Sequence, residues 1–259
     1  MNILFIGDIV GKPGRKAINE GLSNLVKREK ADFVIANCEN AAGGLGITPK
    51  LLNNLIRRGI DAVTSGNHIW KRKEIFPVIE KDPRILRPAN YPRVAPGRGY
   101  NIFKLNNLQV AVINIQGRVF LENIDCPFAV IDKILDKIQK IPVKIVDFHA
   151  EATSEKIAMG WYLDGKVSAL IGTHTHVQTA DARLLNEGTA YISDAGMTGS
   201  INGVIGVKKE EIINKFITGM PFRFKVAKGD ERIQGVIIKV NQDTGKALSI
   251  KPVDLGVEV

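Results

Sequence analysis

The chain has 259 residues, 44% of them hydrophobic and 24% charged, a balance that supplies a core of ordinary size and excludes a disordered polar chain. Lys and Arg number 36 against 27 Asp and Glu, and the net charge of +9 favours anionic partners such as phosphorylated metabolites or nucleic acid. Two cysteines, Cys38 and Cys126, exclude a disulfide framework and lack metal-ligand spacing.

The first strand is expected over Asn2–Gly7. This apolar start is too short for a membrane span and lacks the basic leader and cleavage site of a signal peptide, so a cytoplasmic protein is expected. A helix over Arg15–Glu29 and a strand over Phe33–Cys38 follow. Thr48 before Pro49 marks the start of a helix over Pro49–Arg58, a side-chain cap followed by proline in the first turn. Next come a strand over Ala62–Ser65, a helix over Arg72–Glu80, and strands over Asn101–Leu105 and Val110–Ile115. A helix over Phe128–Gln139, a strand over Val143–Phe148, a helix over Glu155–Leu163 and strands over Ala169–Gly172 and Ala190–Ser193 continue the pattern. A helix over Lys208–Thr218 precedes a closing hairpin, Ile233–Val240 and Leu248–Val253, around Asn241-Gln242-Asp243-Thr244-Gly245. No repeat or linker interrupts the chain, and one domain over residues 1–259 is expected. The early strands are continuous apolar runs, as in sheets covered on both faces, and the last pair has a wetter face. The class is α/β, with two sheets and helices outside them.

Five apolar strands end on polar residues: the first on Asp8, the second on Glu39-Asn40, the third on Asn67-His68, and two later ones on His149 and on His174-Thr175-His176. In parallel α/β sheets the carboxyl ends share one edge, where ligands bind. The chain has only four histidines, and all four occupy these ends. Asp8 could otherwise cap a helix beginning near Gly14, and Asn40 and Asn67 could be turn formers. Set beside Asp, Glu and Asn, four histidines out of four point instead to a site. The set contains no thiolate, which excludes a finger-type zinc, and imidazole, carboxylate and amide oxygen suit manganese, iron or zinc. Without His68 seven candidates remain, enough for two ions sharing one carboxylate. Such ions, about 3.5–4 Å apart, would bridge a hydroxide nucleophile and clamp a phosphoryl group. His174 and His176, two apart, would point the same way if extended.

The succession Gly7-Asp8, Glu39-Asn40, Gly66-Asn67-His68, His149 and His174-Thr175-His176 resembles the calcineurin-like metallophosphoesterase superfamily. It is similar in particular to the YmdB-type branch of 2′,3′-cyclic nucleotide phosphodiesterases. Glu39-Asn40-Ala41-Ala42-Gly43-Gly44, Arg87-Pro88-Ala89-Asn90-Tyr91-Pro92, Asn114-Ile115-Gln116-Gly117-Arg118 and Asp194-Ala195-Gly196-Met197-Thr198-Gly199 match that branch. The wider superfamily has Asp-x-His where this chain has Asp8-Ile9-Val10, Gly-Asp where it has Glu39-Asn40, and an acidic residue at Ile69.

The resemblance implies a four-layer α-β-β-α sandwich of two mixed sheets flanked by helices, the metallo-dependent phosphatase fold. It implies one ion on Asp8, Glu39, Asn40 and His176, with Asn40 replacing the histidine absent at position 10. The second would sit on Glu39, Asn67, His149 and His174, with Glu39 shared. Iron or manganese is the first expectation and zinc the second. His68 would act as general acid, protonating the leaving alkoxide of a phosphodiester, a cyclic nucleotide in that branch, without the usual acidic support after it. A homo-oligomer is also implied.

Gly43, Gly44 and Gly196 are candidate substrate-loop residues, since glycine lets backbone approach a phosphate. Arg118 and Arg87 are candidate phosphate clamps. Trp70 and Trp161 suit core or interface packing better than base stacking. Two rivals are a phosphomonoesterase of the same fold and a regulatory RNA-binding protein with little catalysis.

Overall fold

The computed structural model describes residues 1–105 and 108–257. The chain runs through β1 (Asn2–Ile6), β2 (Asp8–Ile9), α1 (Gly11–Glu29), β3 (Phe33–Asn37), α2 (Pro49–Arg57), β4 (Ala62–Thr64) and α3 (Phe76–Lys81). It continues through β5 (Tyr100–Leu105), β6 (Leu108–Gln116), α4 (Pro127–Leu135), β7 (Val143–His149), α5 (Thr153–Tyr162) and β8 (Ala169–Thr173). It closes with β9 (Arg183–Leu184), β10 (Ala190–Ile192), β11 (Met197–Ser200), α6 (Lys209–Thr218), β12 (Glu231–Val240) and β13 (Ala247–Gly256).

Side-chain alternation along the strands decides the layers. Ile3 and Phe5 of β1 and Phe33 and Ile35 of β3 face Val110, Val112, Val143, Ile145, Ala169 and Ile171 across a buried seam between two sheets. The intervening Leu4, Ile6, Val34 and Ala36 turn outward onto Ile18, Leu22 and Leu25 of α1 and Leu52 and Leu55 of α2. On the far side, Ala111, Ile113, Val146, Phe148 and Leu170 pack on Ile131 and Ile134 of α4 and Met159 of α5. Three apolar layers between four structural ones make the α-β-β-α sandwich.

The first sheet runs β2-β11-β12-β1-β3-β4 with β13 on β12; the second runs β5-β6-β7-β8-β10-β9. β1, β3 and β4 are parallel to one another, as are β6, β7, β8 and β10, while β12 is antiparallel to β1 and β5 to β6. Both sheets are therefore mixed. The parallel strands of each sheet end on one edge of it, and the site lies at that edge.

Several boundaries differ from the expectation. The helix expected over Arg72–Glu80 is two 3-10 turns, Ile69–Lys71 and Lys73–Ile75, before α3 begins at Phe76. Pro77 occupies the first helical turn of α3, where its missing N–H is no loss, and fixes that later start. The helix expected to Gln139 ends at Leu135 and tightens into a 3-10 turn over Asp136–Ile138. The short strands β2, β9 and β11 escape a pattern search because two to four residues show no periodicity. Among the described residues no helix is long and apolar enough to cross a membrane.

Candidate active site

The polar strand ends converge on one buried cluster. Asp8 opens β2 and is fully buried. It does not cap α1, whose first turn follows Val10 with no side-chain cap. Its Oδ2 accepts the backbone N–H of His174 at 3.1 Å, while its Oδ1 has no hydrogen-bond partner and lies 3.7 Å from His176 Nε2. Glu39 follows β3. Its Oε1 lies 3.2 Å from His149 Nε2 and 3.3 Å from His68 Nδ1, and its Oε2 accepts the His68 backbone N–H at 3.0 Å. Asn67 Oδ1 stands 3.3 Å from His149 Nε2.

His149 ends β7, where Nδ1 meets the Thr173 hydroxyl at 2.9 Å. That hydroxyl donates to Asp147 at 2.7 Å, so its oxygen accepts from His149 and the ring's Nδ1 carries the proton. Nε2 is thereby turned toward Glu39, Asn67 and His174 Nδ1, the last at 3.1 Å. His176 is fixed in the same way: its Nδ1–H donates to the Ile205 carbonyl at 3.0 Å, and Nε2 faces the Asn40 side-chain nitrogen at 3.1 Å. The extended geometry expected for the two histidines is corrected here. His174 and His176 sit at φ +98° and +63°, in a left-handed bend after β8, and reach the cluster from a turn.

Charge within the cluster is coupled. Burial pushes the Asp8 and Glu39 carboxyls up, but the facing histidines, His176 for Asp8 and His149 for Glu39, outweigh it and hold both below the usual carboxylate range. Burial pushes His149 and His176 down, and the carboxylates Glu39 and Asp8 overcome it, raising each to about 9. His174 is pushed down to about 3 by burial and then by the charge on His149.

The donor set suits cations. A buried carboxylate oxygen on Asp8 lacks a partner, and Glu39, His149 and His174 each offer a ligand atom, all within 4.8 Å of one another. At Gly66 a Cβ would lie 2.1 Å from His149 Nε2 and 2.4 Å from Glu39 Oε2, so only glycine lets the strand end approach that donor pair. Imidazole nitrogens and carboxylate oxygens of this kind are the donor types that transition-metal ions take.

His68 stands apart. Its Nδ1 lies 2.8 Å from Asn40 Oδ1, its Nε2 has no hydrogen bond among the described residues, and its side chain is 27% exposed. Asn40 Oδ1 and Glu39 Oε1 thus supply the support that an acidic residue at Ile69 would give. An amide oxygen has two lone pairs, so Asn40 can accept from His68 and still offer a ligand atom.

The tentative substrate residues are placed unevenly. Gly43 and Gly44, at φ +70° and +97°, form the turn after Asn40, which Arg72 steadies by donating to the Ala42 and Leu45 carbonyls at 2.9 and 3.2 Å. Arg118 is exposed just past β6, beside Gly117, whose N–H donates to the His149 carbonyl at 2.9 Å. Gly196 is instead a packing residue: its carbonyl lies 2.1 Å from where a Gly7 Cβ would stand and accepts the Asp8 N–H. Arg87 is no phosphate clamp. It is buried, and its guanidinium donates to the carbonyls of Pro88, Pro96 and Ala95 at 2.8, 3.2 and 3.3 Å. Trp70 packs edge-on against Phe76 and Tyr91, whereas Trp161, expected in core or interface packing, is half exposed under the Arg183 guanidinium.

Sequence reasoning passed over Asp147, Thr173 and Glu151, whose Oε2 lies 3.0 Å from His174 Nε2. Asp147 precedes His149 by two residues on β7, a signal of the same strand face that pattern reading could have used, whereas Glu151 lies in the turn past the strand end.

A two-sheet sandwich with carboxylates, asparagines and histidines gathered at its parallel strand ends is the metallo-dependent phosphatase fold. The YmdB-like protein family model matches residues 4–253, and the chain belongs to that family. It is 50% identical to a 2′,3′-cyclic-nucleotide 2′-phosphodiesterase of Bacillus subtilis over 97% of this chain and 96% of that protein. Among solved structures, a hypothetical protein of Thermus thermophilus superposes with a TM-score of 0.94 at 38% identity, covering all of both chains. A novel phosphatase of Mycoplasma pneumoniae also gives 0.94, at 33% identity, covering 99% of this chain and 93% of its own.

Proposed function

We propose that the chain, acting as one unit, is a two-metal phosphodiesterase for 2′,3′-cyclic nucleotides. Asp8, Glu39, Asn40 and His176 would hold one ion and Glu39, Asn67, His149 and His174 the other. The observation that carries this reading is the meeting of the unpartnered Asp8 oxygen with imidazoles whose Nδ1 atoms are hydrogen-bonded on their far sides, so that each inward Nε2 can bind a cation on giving up its proton. The 50% identity to the Bacillus subtilis enzyme supports the substrate class. Iron or manganese, then zinc, matches the donors.

When bound, a pair of such ions activates water and neutralises charge on the phosphoryl group. The chain's own work is at His68. Nδ1 donates to Asn40 Oδ1, which fixes the ring with Nε2 facing outward, and in the imidazolium form that Nε2–H can protonate the departing oxygen. The Glu39 Oε1 oxygen lies 3.3 Å from the same Nδ1. The Gly43-Gly44 turn and Arg118 stand at the same edge as candidate contacts for the phosphate and sugar. The same reading has the chain acting in the cytoplasm as a homo-oligomer.

The test is metal analysis of the purified protein, then rates on 2′,3′-cyclic nucleotides, linear diesters and phosphomonoesters. The reading expects two ions per chain and metal-dependent hydrolysis, fastest on cyclic diesters. Faster monoester turnover would replace it with a phosphomonoesterase. No metal-dependent hydrolysis, with steeply salt-dependent RNA binding, would favour a regulatory role.

A further inference from the structure

Asp194, first residue of the motif Asp194-Ala195-Gly196, lies outside the proposed ligands, yet its carboxylate bonds the residue between two of them. Asp194 is fully buried after β10, and its Oδ2 lies 2.8 Å from Nζ of Lys156, itself 2% exposed on α5. The same oxygen accepts the Thr175 N–H at 3.0 Å and the Thr175 hydroxyl at 2.7 Å, while Oδ1 accepts the Gly196 N–H at 2.9 Å. Thr175 separates His174 from His176, the two left-handed residues of the bend. Such conformations are strained for non-glycine residues and persist only where the surroundings over-determine them. Asp8 Oδ2 holds the His174 N–H, and Asp194 holds Thr175 by backbone and side chain. Lys156 belongs to the helix that begins just after the His149-Ala150-Glu151 turn, so the ion pair ties the His149 side of the site to the His174–His176 side.

We infer that Asp194, neutralised by Lys156, is a positioning residue that fixes the His174-Thr175-His176 bend and thereby aims both imidazoles at the metal ions. The inference rests on the ligand assignment above. A buried ion pair alone does not establish it, since exchanging such a pair for apolar residues is often neutral for stability. That neutrality makes the test clean.

The experiment titrates manganese(II) into the chelator-treated full-length protein by calorimetry, beside thermal melts. Lys156→Met with Asp194→Leu removes the pair and the Thr175 anchor together, and manganese should bind about 10–100-fold more weakly. Lys156→Met with Asp194→Asn keeps an oxygen for Thr175 and should restore affinity to within about threefold of wild type. Thr175→Val, which leaves the ion pair intact, should fall between them. Wild-type affinity in a folded Leu variant overturns the inference, and so does an Asn variant as weak as the Leu variant. If the Leu variant does not fold, wild-type affinity in Thr175→Val overturns it. His174→Ala binding two ions as tightly as wild type would instead sink the ligand assignment, so the two failures are separable.

Discussion

Gly66→Ala puts the proposed site to a steric test. Gly66 lies between β4 and Asn67-His68, and its Cβ would stand 2.1 Å from both Cδ2 and Nε2 of His149 and 2.4 Å from Glu39 Oε2. Ordinary contact begins at 3.4 Å, so the methyl must push the ring or the strand end by about 1.3 Å. Neither neighbour is free to yield. The ring is bonded to Thr173 at 2.9 Å, and Glu39 Oε2 to the His68 N–H at 3.0 Å. Overpacking of this kind costs about 1–3 kcal/mol of stability. A misplacement of about 1 Å costs on the order of 100-fold in rate, roughly 2.7 kcal/mol of barrier. The variant should therefore fold with a Tm a few degrees lower, lose bound metal and fall about 100-fold in kcat/KM on a 2′,3′-cyclic nucleotide. Gly59→Ala is the control: its φ of +102° strains an alanine, but nothing lies within 4 Å of the added carbon. It should lose stability while keeping metal and turnover. Two ions per chain and turnover within about twofold of wild type in Gly66→Ala would refute the reasoning.

His68→Ala should keep both ions yet lose about 10²–10⁴-fold in kcat on unactivated diesters, with the smallest loss on nitrophenyl esters, whose leaving group needs no proton. Normal turnover of unactivated diesters by that variant would exclude the acid role. Arg87→Ala should destabilise the fold by about 2–4 kcal/mol in denaturant titration by stripping three carbonyls of a buried charged donor, with metal content unchanged. Manganese affinity should rise with pH. His149 and His176, raised to about 9, are protonated below that value, and a metal must displace those protons. Two displaced protons give a slope of as much as about 100-fold per pH unit between roughly 6.5 and 9. Asp8 and Glu39, held low, are already ionised there and add no slope. A flat profile over that range would contradict the charge assignment.

The sequence exposes the layers and the strand-end residues for one physical reason, the period of two along each strand. Ile3 and Phe5, Phe33 and Ile35, and Val143 and Ile145 all face the seam, and continuing that face past the last apolar residue reaches Asn37, Asp147 and His149. What stayed hidden depends on contacts between distant segments. Arg87 reads as a free cation until the Pro88–Pro96 turn wraps its guanidinium. Gly196 reads as a flexible loop until Gly7 closes on its carbonyl. The His174–His176 bend is unreadable because left-handed histidines are uncommon locally and are sustained here by Asp8 and Asp194, 166 and 19 residues away in sequence.

The proposed ions would each join the two sheets, and this bears on stability as well as chemistry. Asp8, Glu39, Asn40 and Asn67 come from the ends of the first sheet's strands, and His149, His174 and His176 from those of the second. Each proposed ligand set draws from both, so an ion fastens the seam at the edge where its apolar packing gives way to polar groups. That edge brings His149 and His174 nitrogens to 3.1 Å, an approach that a shared proton or a cation satisfies. Ligand binding to the folded state adds about 2.7 kcal/mol per site at 100 times Kd. For a chain of this length two sites should raise the Tm by about 10 °C or more. Chelation should accordingly lower the melting temperature by that amount, and added manganese should restore it in proportion to occupancy. Identical melts of the chelated protein and of protein carrying two ions per chain would mean that the ions bind the unfolded chain as well as the folded one, which ligand sets assembled from distant strand ends do not allow, and both sets would have to be redrawn.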